Sequence, residues 1–213
     1  MANDPKMKHP SQLTFGDPAA ADEPFAPFDA WMWDAKQHET RDPDAIALAT
    51  VDNDGLPNVR MVLLKGWGPA GFVFYTNRES AKGRELDSLR KAALAIYWKS
   101  LSRQVRMRGP VQPVAEAESD AYFALRPRGA QVGAWASKQS RPLASRADLE
   151  AAVARIEEKY GDAKIPRPPH WIGYRLEPLV VEFWAERPYR LHDRIEFSRA
   201  SPGAPWSRRR LFP

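Results

Sequence analysis

Arg60 and Lys65, which bracket the apolar run of RMVLLK, are the first residues in this chain whose types and spacing suit a chemical task. On an extended strand, alternation places Arg60, Val62 and Leu64 on one face and Met61, Leu63 and Lys65 on the other. Each face then carries one cation beside apolar neighbours. A charge on a largely buried surface is costly unless something pairs with it, which suits a strand lining the pocket of an anionic ligand. The same six residues equally describe an edge strand whose charges reach solvent. Lys82 follows Ser80, a suitable N-cap, at the start of a helical stretch, where free backbone N–H groups and an ammonium can together hold a phosphate. A solvated lysine is the plainer alternative there. RQVRMR sets Arg103, Val105 and Met107 on one strand face and Gln104, Arg106 and Arg108 on the other, a polar load that fits a solvent face or a ligand wall.

Composition narrows the chemistry. A net charge of +5 favours anionic partners, but the cations sit singly among apolar and aromatic residues, an arrangement better suited to a small phosphate ligand than to nucleic acid. With no cysteine there is no thiol nucleophile, zinc–thiolate site or disulfide, and His9, His38, His170 and His192 lack metal-ligand spacing. No metal is expected. No window approaches the roughly 20 apolar residues of a membrane span, and the first residues lack a signal-peptide core, so a soluble, cytoplasmic protein is expected. Gly66, Gly68 and Gly71 satisfy G-x-G-x-x-G literally. That motif needs a helix directly after it, whereas Pro69 interrupts and the strand-like FVFYT follows, so no dinucleotide site is read there.

The elements that must position these residues are mostly strands. Residues 1–24 are polar and aperiodic and read as a mobile arm, followed by a single domain over 25–213. Phe28, Trp31, Met32 and Ala35 recur at helical spacing up to about Glu39. Ala45–Val51 and the run ending at Lys65 are strands joined by Asp52, Asn53, Asp54 and Gly55, a hairpin signal. Phe72–Thr76, Ala92–Trp98 and Arg103–Val114 are further strands, with helices over residues 80–90, 116–125 and 145–160, the last opened by Ser145 and Asp148 in capping-box arrangement and closed by Gly161. Residues 126–142 show no clean period and are expected to form a long, functional loop. Strands continue through YRLEPLVVEFWAE and RLHDRIEFSR. Short loops and isolated helices without βαβ alternation predict a mainly β protein, an antiparallel barrel with peripheral helices.

In their order along the chain, RMVLLK, FYTN from Phe74, RQVR from Arg103, YFALRPR from Tyr122, GAWASKQS from Gly133, EFW from Glu182, RLHDR from Arg190 and the terminal RLFP resemble the pyridoxamine 5′-phosphate oxidases. The resemblance runs from about residue 28 to the last. It implies an FMN-binding split β-barrel of the Greek-key type and a homodimer with FMN at the subunit interface. The implied reaction oxidises pyridoxamine 5′-phosphate and pyridoxine 5′-phosphate to pyridoxal 5′-phosphate with oxygen, releasing hydrogen peroxide and, from the amine, ammonia. By the same resemblance, Arg60 and Lys82 match cations on the FMN phosphate, Met61, Val62 and Leu63 match contacts to the flavin ring, and Lys65 on the same strand is also a cofactor-binding position. Tyr75, Thr76, Gln104, Gln139, Ser140, Trp184 and Arg194 match other flavin positions. Lys65, Tyr122 and Arg126 match the grip on the substrate phosphate, and Arg190 and His192 the catalytic pair at the substrate ring.

Three departures stand out. Ala81 replaces an arginine that some members place on the FMN phosphate, Ala130 replaces a hydroxyl on the substrate phosphate, and the N-terminal arm lacks a closing Arg and Tyr pattern. Two rivals are a phenazine-pathway type of flavin oxidase on the same barrel, whose members typically lack the grip kept here as Lys65, Tyr122 and Arg126, and a non-catalytic flavin or pyridoxal-phosphate carrier.

Overall fold

The computed structural model describes residues 17–213. Nine strands form one antiparallel sheet: β1 (Ala45–Val51), β2 (Pro57–Gly68), β3 (Gly71–Asn77), β4 (Lys91–Trp98), β5 (Arg103–Pro113), β6 (Trp171–Leu176), β7 (Val180–Ala185), β8 (Asp193–Ser198) and β9 (Ser207–Arg210). Their order is β4-β1-β2-β3-β6-β5-β7-β8-β9, and a further β4–β5 pairing closes the first six strands into a barrel. β5 makes the split: Arg103–Arg108 pair with β7, whereas Val111–Pro113 pair with β6. The expected split barrel is what forms.

The β1–β2 hairpin closes where Asp52, Asn53, Asp54 and Gly55 predict it, with the Asp52 carboxylate accepting from the backbone N–H groups of Asp54 and Leu56. β2 runs three residues past Lys65, to Gly68, with a bulge between Leu64 and Gly66, and strand β3 follows at once. A strand after the glycines removes the helix a dinucleotide fingerprint needs.

α1 (Phe25–His38) buries Phe28, Trp31, Met32 and Ala35 along one stripe against the barrel core. The chain joins that core before α1: Pro18 and Pro24 are buried and Ala19 and Ala21 pack on it, so the described part of the expected arm, residues 17–24, is seated. The rest of that arm lies outside the described residues. Arg103 corrects the expectation of a solvent face or ligand wall, for it points into the core with Val105 and Met107 and is 1% exposed. Asp34 of α1 accepts from it at 2.8 Å, and Trp31 lies 4.7 Å from its guanidinium. That pair fixes α1 on β5.

A second apolar cluster, built from Phe123, Val132, Ile165 and Trp171, carries α3 (Glu116–Ala124), α4 (Arg128–Ala136) and α5 (Arg146–Tyr160). α4 overturns the expectation of a long loop over residues 126–142. Gly129 and Gly133 weaken its helical signature, and only Val132 on it is buried, so packing under α5 rather than propensity holds it. Ser145 caps α5 through Asp148 N–H as its sequence predicts.

Candidate active site

β2 changes partner midway. Residues 57–63 pair with β1, and pairing with β3 begins only at Leu64, so among the described residues the β3-side edge of residues 58–63 has no strand partner. This gap opens a cavity of about 460 Å³. Arg60, Met61, Val62, Leu63 and Lys65 line one wall, Tyr75, Thr76 and Lys82 the second, and Tyr122, Arg126 and Gln139 the third. Elements as far apart in sequence as β2 and the segment after α4 thus meet around one space.

The four cations of the pocket are not equivalent. Arg60 donates to Glu85 at 3.1 Å and to the Thr50 hydroxyl at 2.5 Å, and Lys65 donates to Asp44 at 2.6 Å. Burial raises the Glu85 carboxyl, but hydrogen bonds from Thr50 and Asn58 together with the Arg60 cation outweigh it and hold the group below the ordinary carboxylate range. Lys82 has no ion pair among the described residues. It is 9% exposed and donates only to neutral oxygens, Gln139 Oε1 at 2.8 Å and Ser80 Oγ at 3.4 Å. Burial, reinforced by Arg60 and opposed by Glu85, holds its ammonium below the ordinary lysine range. Arg126 lies over Trp171 at 4.8 Å and Phe123 at 5.7 Å, with Nη1 buried and without a hydrogen-bond partner among the described residues. Lys82 and Arg126 are therefore two positive charges that the described residues leave without a carboxylate.

Lys82 owes its position to a close fit. Ser80 Oγ caps α2 (Ala81–Leu89) by accepting from Gly83 N–H at 3.2 Å, and a Cβ on Gly83 would lie 2.2 Å from the Arg78 carbonyl oxygen. Ala81 occupies the first turn beside Lys82, so no second cation stands there. Tyr75 stacks on Tyr122, with centroids 4.2 Å apart, and on Trp171 at 5.1 Å. Its phenol is pushed up to about 12, chiefly by burial. The stack depends on Gly173, which faces Tyr75 across β3–β6; a Cβ there would fall 2.6 Å from the tyrosine ring and from Val114. Gly173→Ala is expected to tilt Tyr75 into the cavity and weaken ligand binding at that wall by about tenfold with the fold retained, a misplacement effect that a binding titration reads directly.

The remaining sequence candidates lie elsewhere in the same subunit. Ser140 sits beyond Gln139 in a loop against α5. Gln104 and Trp184 pair across β5–β7, and Trp184 pairs with Arg194 across β7–β8. Arg194 donates to Glu182 at 2.9 Å. Arg190 is exposed in the loop before β8, and His192 lies 4.6 Å from the Trp184 ring. None of these six lines the β2 cavity of its own chain. The sequence reading did not single out Glu85, Thr50 and Asp44, which hold the pocket cations, nor Trp171 and Gly173; contacts between elements distant in the chain reveal them. No His, Asp and Glu grouping able to hold a metal occurs among the described residues, and no helix there is long and apolar enough to cross a membrane.

A split barrel with a cationic cavity at an unpaired strand edge is the protein class that fold and site define. Comparison with known proteins carries this further. Residues 32–160 match the family model described as pyridoxamine 5′-phosphate oxidase, and residues 171–213 match the pyridoxine 5′-phosphate oxidase C-terminal dimerisation region. The chain belongs to the pyridoxamine 5′-phosphate oxidase family. It is 60% identical to a pyridoxine/pyridoxamine 5′-phosphate oxidase of Nitrobacter winogradskyi over 97% of both chains. It is 58% identical to the one from Azorhizobium caulinodans over 99% of this chain and all of that one. Among solved structures, PhzG from Burkholderia lata, in complex with tetrahydrophenazine-1-carboxylic acid, superposes with a TM-score of 0.85 at 34% identity, covering 91% of this chain and 94% of that one.

Proposed function

We propose that this chain is an FMN-dependent oxidase that converts pyridoxamine 5′-phosphate and pyridoxine 5′-phosphate to pyridoxal 5′-phosphate with oxygen as acceptor, yielding hydrogen peroxide and, from the amine, ammonia. The observation that carries the reading is the pair of uncompensated cations, Lys82 and Arg126, in one cavity: two phosphates, one on the cofactor and one on the substrate, need two such charges.

The residues present fit FMN. Lys82, Arg60 and the first N–H groups of α2 would take its phosphate, and the unpaired edge of Met61–Leu63 offers backbone groups along a flat ring. When bound, the flavin accepts a hydride equivalent from the substrate carbon and passes electrons to oxygen. Arg126, with Lys65 and Tyr122, holds the substrate phosphate, and Ala130 lines the same wall without offering a hydroxyl.

The missing half of the site comes from a second copy. Val59, Met61, Leu63 and Tyr97 are 65%, 64%, 40% and 54% exposed, and register puts them on one outer sheet face. Across a stripe of Ala47, Ala49, Ala93 and Ala95, that face carries Gln104, Trp184 and Arg194. A twofold dimer seated on this face sets the β2 edge of one subunit beside Gln104, Trp184, Arg190, His192 and Arg194 of the other. The match to a dimerisation region supports that assembly.

Lys82→Met is expected to raise the FMN dissociation constant by about 10- to 100-fold, the worth of one charge-assisted contact, while riboflavin, which lacks the phosphate, binds within about threefold of the parent protein. Flavin fluorescence quenching reads both. As pH rises through the lowered pKa of Lys82 the cation is lost, so FMN affinity falls at a lower pH than an ordinary lysine would give. The function itself is tested by incubating the flavin-loaded protein with pyridoxamine 5′-phosphate in air and following aldehyde and peroxide. Equal turnover of pyridoxamine, without the phosphate, would contradict the assignment of Arg126. Turnover of tetrahydrophenazine-1-carboxylic acid, with none of the phosphorylated vitamers, would move the chain to the chemistry suggested by its likeness to PhzG.

A further inference from the structure

The loop between β7 and β8 carries Arg190 and His192 and is held in an unusual shape. Tyr189 and Arg190 both adopt left-handed backbone conformations, with φ of 58° and 62°, although neither is glycine. Such conformations persist only where surrounding contacts over-determine them. Here the contacts converge on Asp193, the first residue of β8. Its Oδ2 accepts from Arg187 Nε at 2.6 Å and its Oδ1 from Arg210 Nη1 of β9 at 2.8 Å. The carboxylate thus ties the start of the loop to its end and to the C-terminal strand. Inside the loop so closed, the backbone N–H of Arg187 donates to Nδ1 of His192 at 3.2 Å, and the imidazole ring lies 4.6 Å from that of Trp184.

We infer that Asp193 is a positioning residue which, by holding Arg187, fixes His192 as the Nε2–H tautomer and makes its free nitrogen a hydrogen-bond donor to the substrate rather than a base. The inference deepens the oxidase reading and rests on it for what His192 meets; the tautomer and its clamp stand on geometry alone. A neutral imidazole has one donor and one acceptor nitrogen. Because Nδ1 already accepts the Arg187 N–H, the proton resides on Nε2. His38 supplies an internal contrast: its Nδ1 lies 2.7 Å from the Asp34 carbonyl oxygen, an acceptor only, so its proton belongs on Nδ1.

The test uses the full-length, flavin-loaded protein labelled with nitrogen-15, at a pH where imidazoles are neutral. Nuclear magnetic resonance is expected to show a scalar coupling across the hydrogen bond from the Arg187 amide nitrogen to His192 Nδ1, with the proton on Nε2 of His192 and on Nδ1 of His38. Asp193→Asn is expected to abolish that coupling and lower kcat by about 100-fold with little change in KM or melting temperature, and Asp193→Glu to restore part of both. Arg187→Gln, which leaves the backbone N–H in place and removes the clamp from the other side, is expected to reproduce the loss and serves if Asp193→Asn does not fold. A His192 protonated at Nδ1, or a coupling that survives in the clamp variant together with normal kcat, overturns the inference. If the unaltered protein is inert toward pyridoxamine 5′-phosphate, the oxidase reading fails, and the coupling in the parent and clamp variants still decides the role of Asp193.

Discussion

Replacing Arg126 with methionine is expected to lower kcat/KM for pyridoxamine 5′-phosphate by about 10²- to 10³-fold, since a guanidinium–phosphate contact supplies two charge-assisted hydrogen bonds of roughly 1.5–3 kcal/mol each at most. The loss should fall mainly on KM, because the phosphate is remote from the reacting carbon and its contacts are the same in ground and transition states. Stability should move the other way. The guanidinium lies over the Trp171 and Phe123 rings, its Nη1 is buried and without a hydrogen-bond partner among the described residues, and burial lowers its pKa. Methionine keeps the apolar stem and removes the desolvated charge, so the melting temperature should stay level or rise by a few degrees, as is common where a site is strained for function. Steady-state kinetics and a thermal melt on the same preparation check both halves. A variant that is both less stable and fully active would show Arg126 to be a packing residue.

The second large effect belongs to the core. Asp34→Asn is expected to cost about 3–5 kcal/mol, because it takes the carboxylate from a guanidinium that is 1% exposed. For a chain of this size about 1 kcal/mol moves the melting temperature by about 2–4 °C, so a fall of roughly 6–20 °C should follow. The double replacement Asp34→Leu with Arg103→Met should recover most of it, since well-packed apolar residues often substitute for a buried ion pair without loss. Calorimetry on the two variants separates these outcomes. A single variant that melts within 2 °C of the parent, against the fall that about 3 kcal/mol implies, would mean that the pair contributes little to holding α1 on β5.

Much of this protein is legible in its sequence. Alternation in RMVLLK and RQVRMR, the Asp52–Gly55 turn and the Ser145 cap each name a local physical cause, and the structure keeps all of them. Arg60 and Lys65 are legible as cations beside apolar neighbours, which suit an anion, and Lys82 as a cation at a helix start, whereas Tyr122 and Arg126 are marked only by the resemblance of YFALRPR to the oxidase family. What the sequence could not show were the partners themselves. Which cations are neutralised, Arg60 by Glu85 and Lys65 by Asp44, depends on contacts between residues more than twenty positions apart. Arg103 was ambiguous for the same reason, as its strand face became the core only once α1 supplied Asp34 and Trp31. α4 was missed because two glycines dilute its helical signature and its stability comes from neighbours. The separation of Gln104, Trp184, Arg190, His192 and Arg194 from the β2 cavity of their own chain is likewise invisible in a linear order of motifs.

Whether one cavity holds a flavin and a phosphorylated vitamer together is read from a visible absorption spectrum of the purified protein. The protein should be yellow or become so with FMN, bleach when pyridoxamine 5′-phosphate is added without air, and recover its colour with release of pyridoxal 5′-phosphate once air is admitted. A protein that stays colourless with FMN, or one whose flavin band is unmoved by the phosphorylated amine, would rule out a shared flavin and vitamer site.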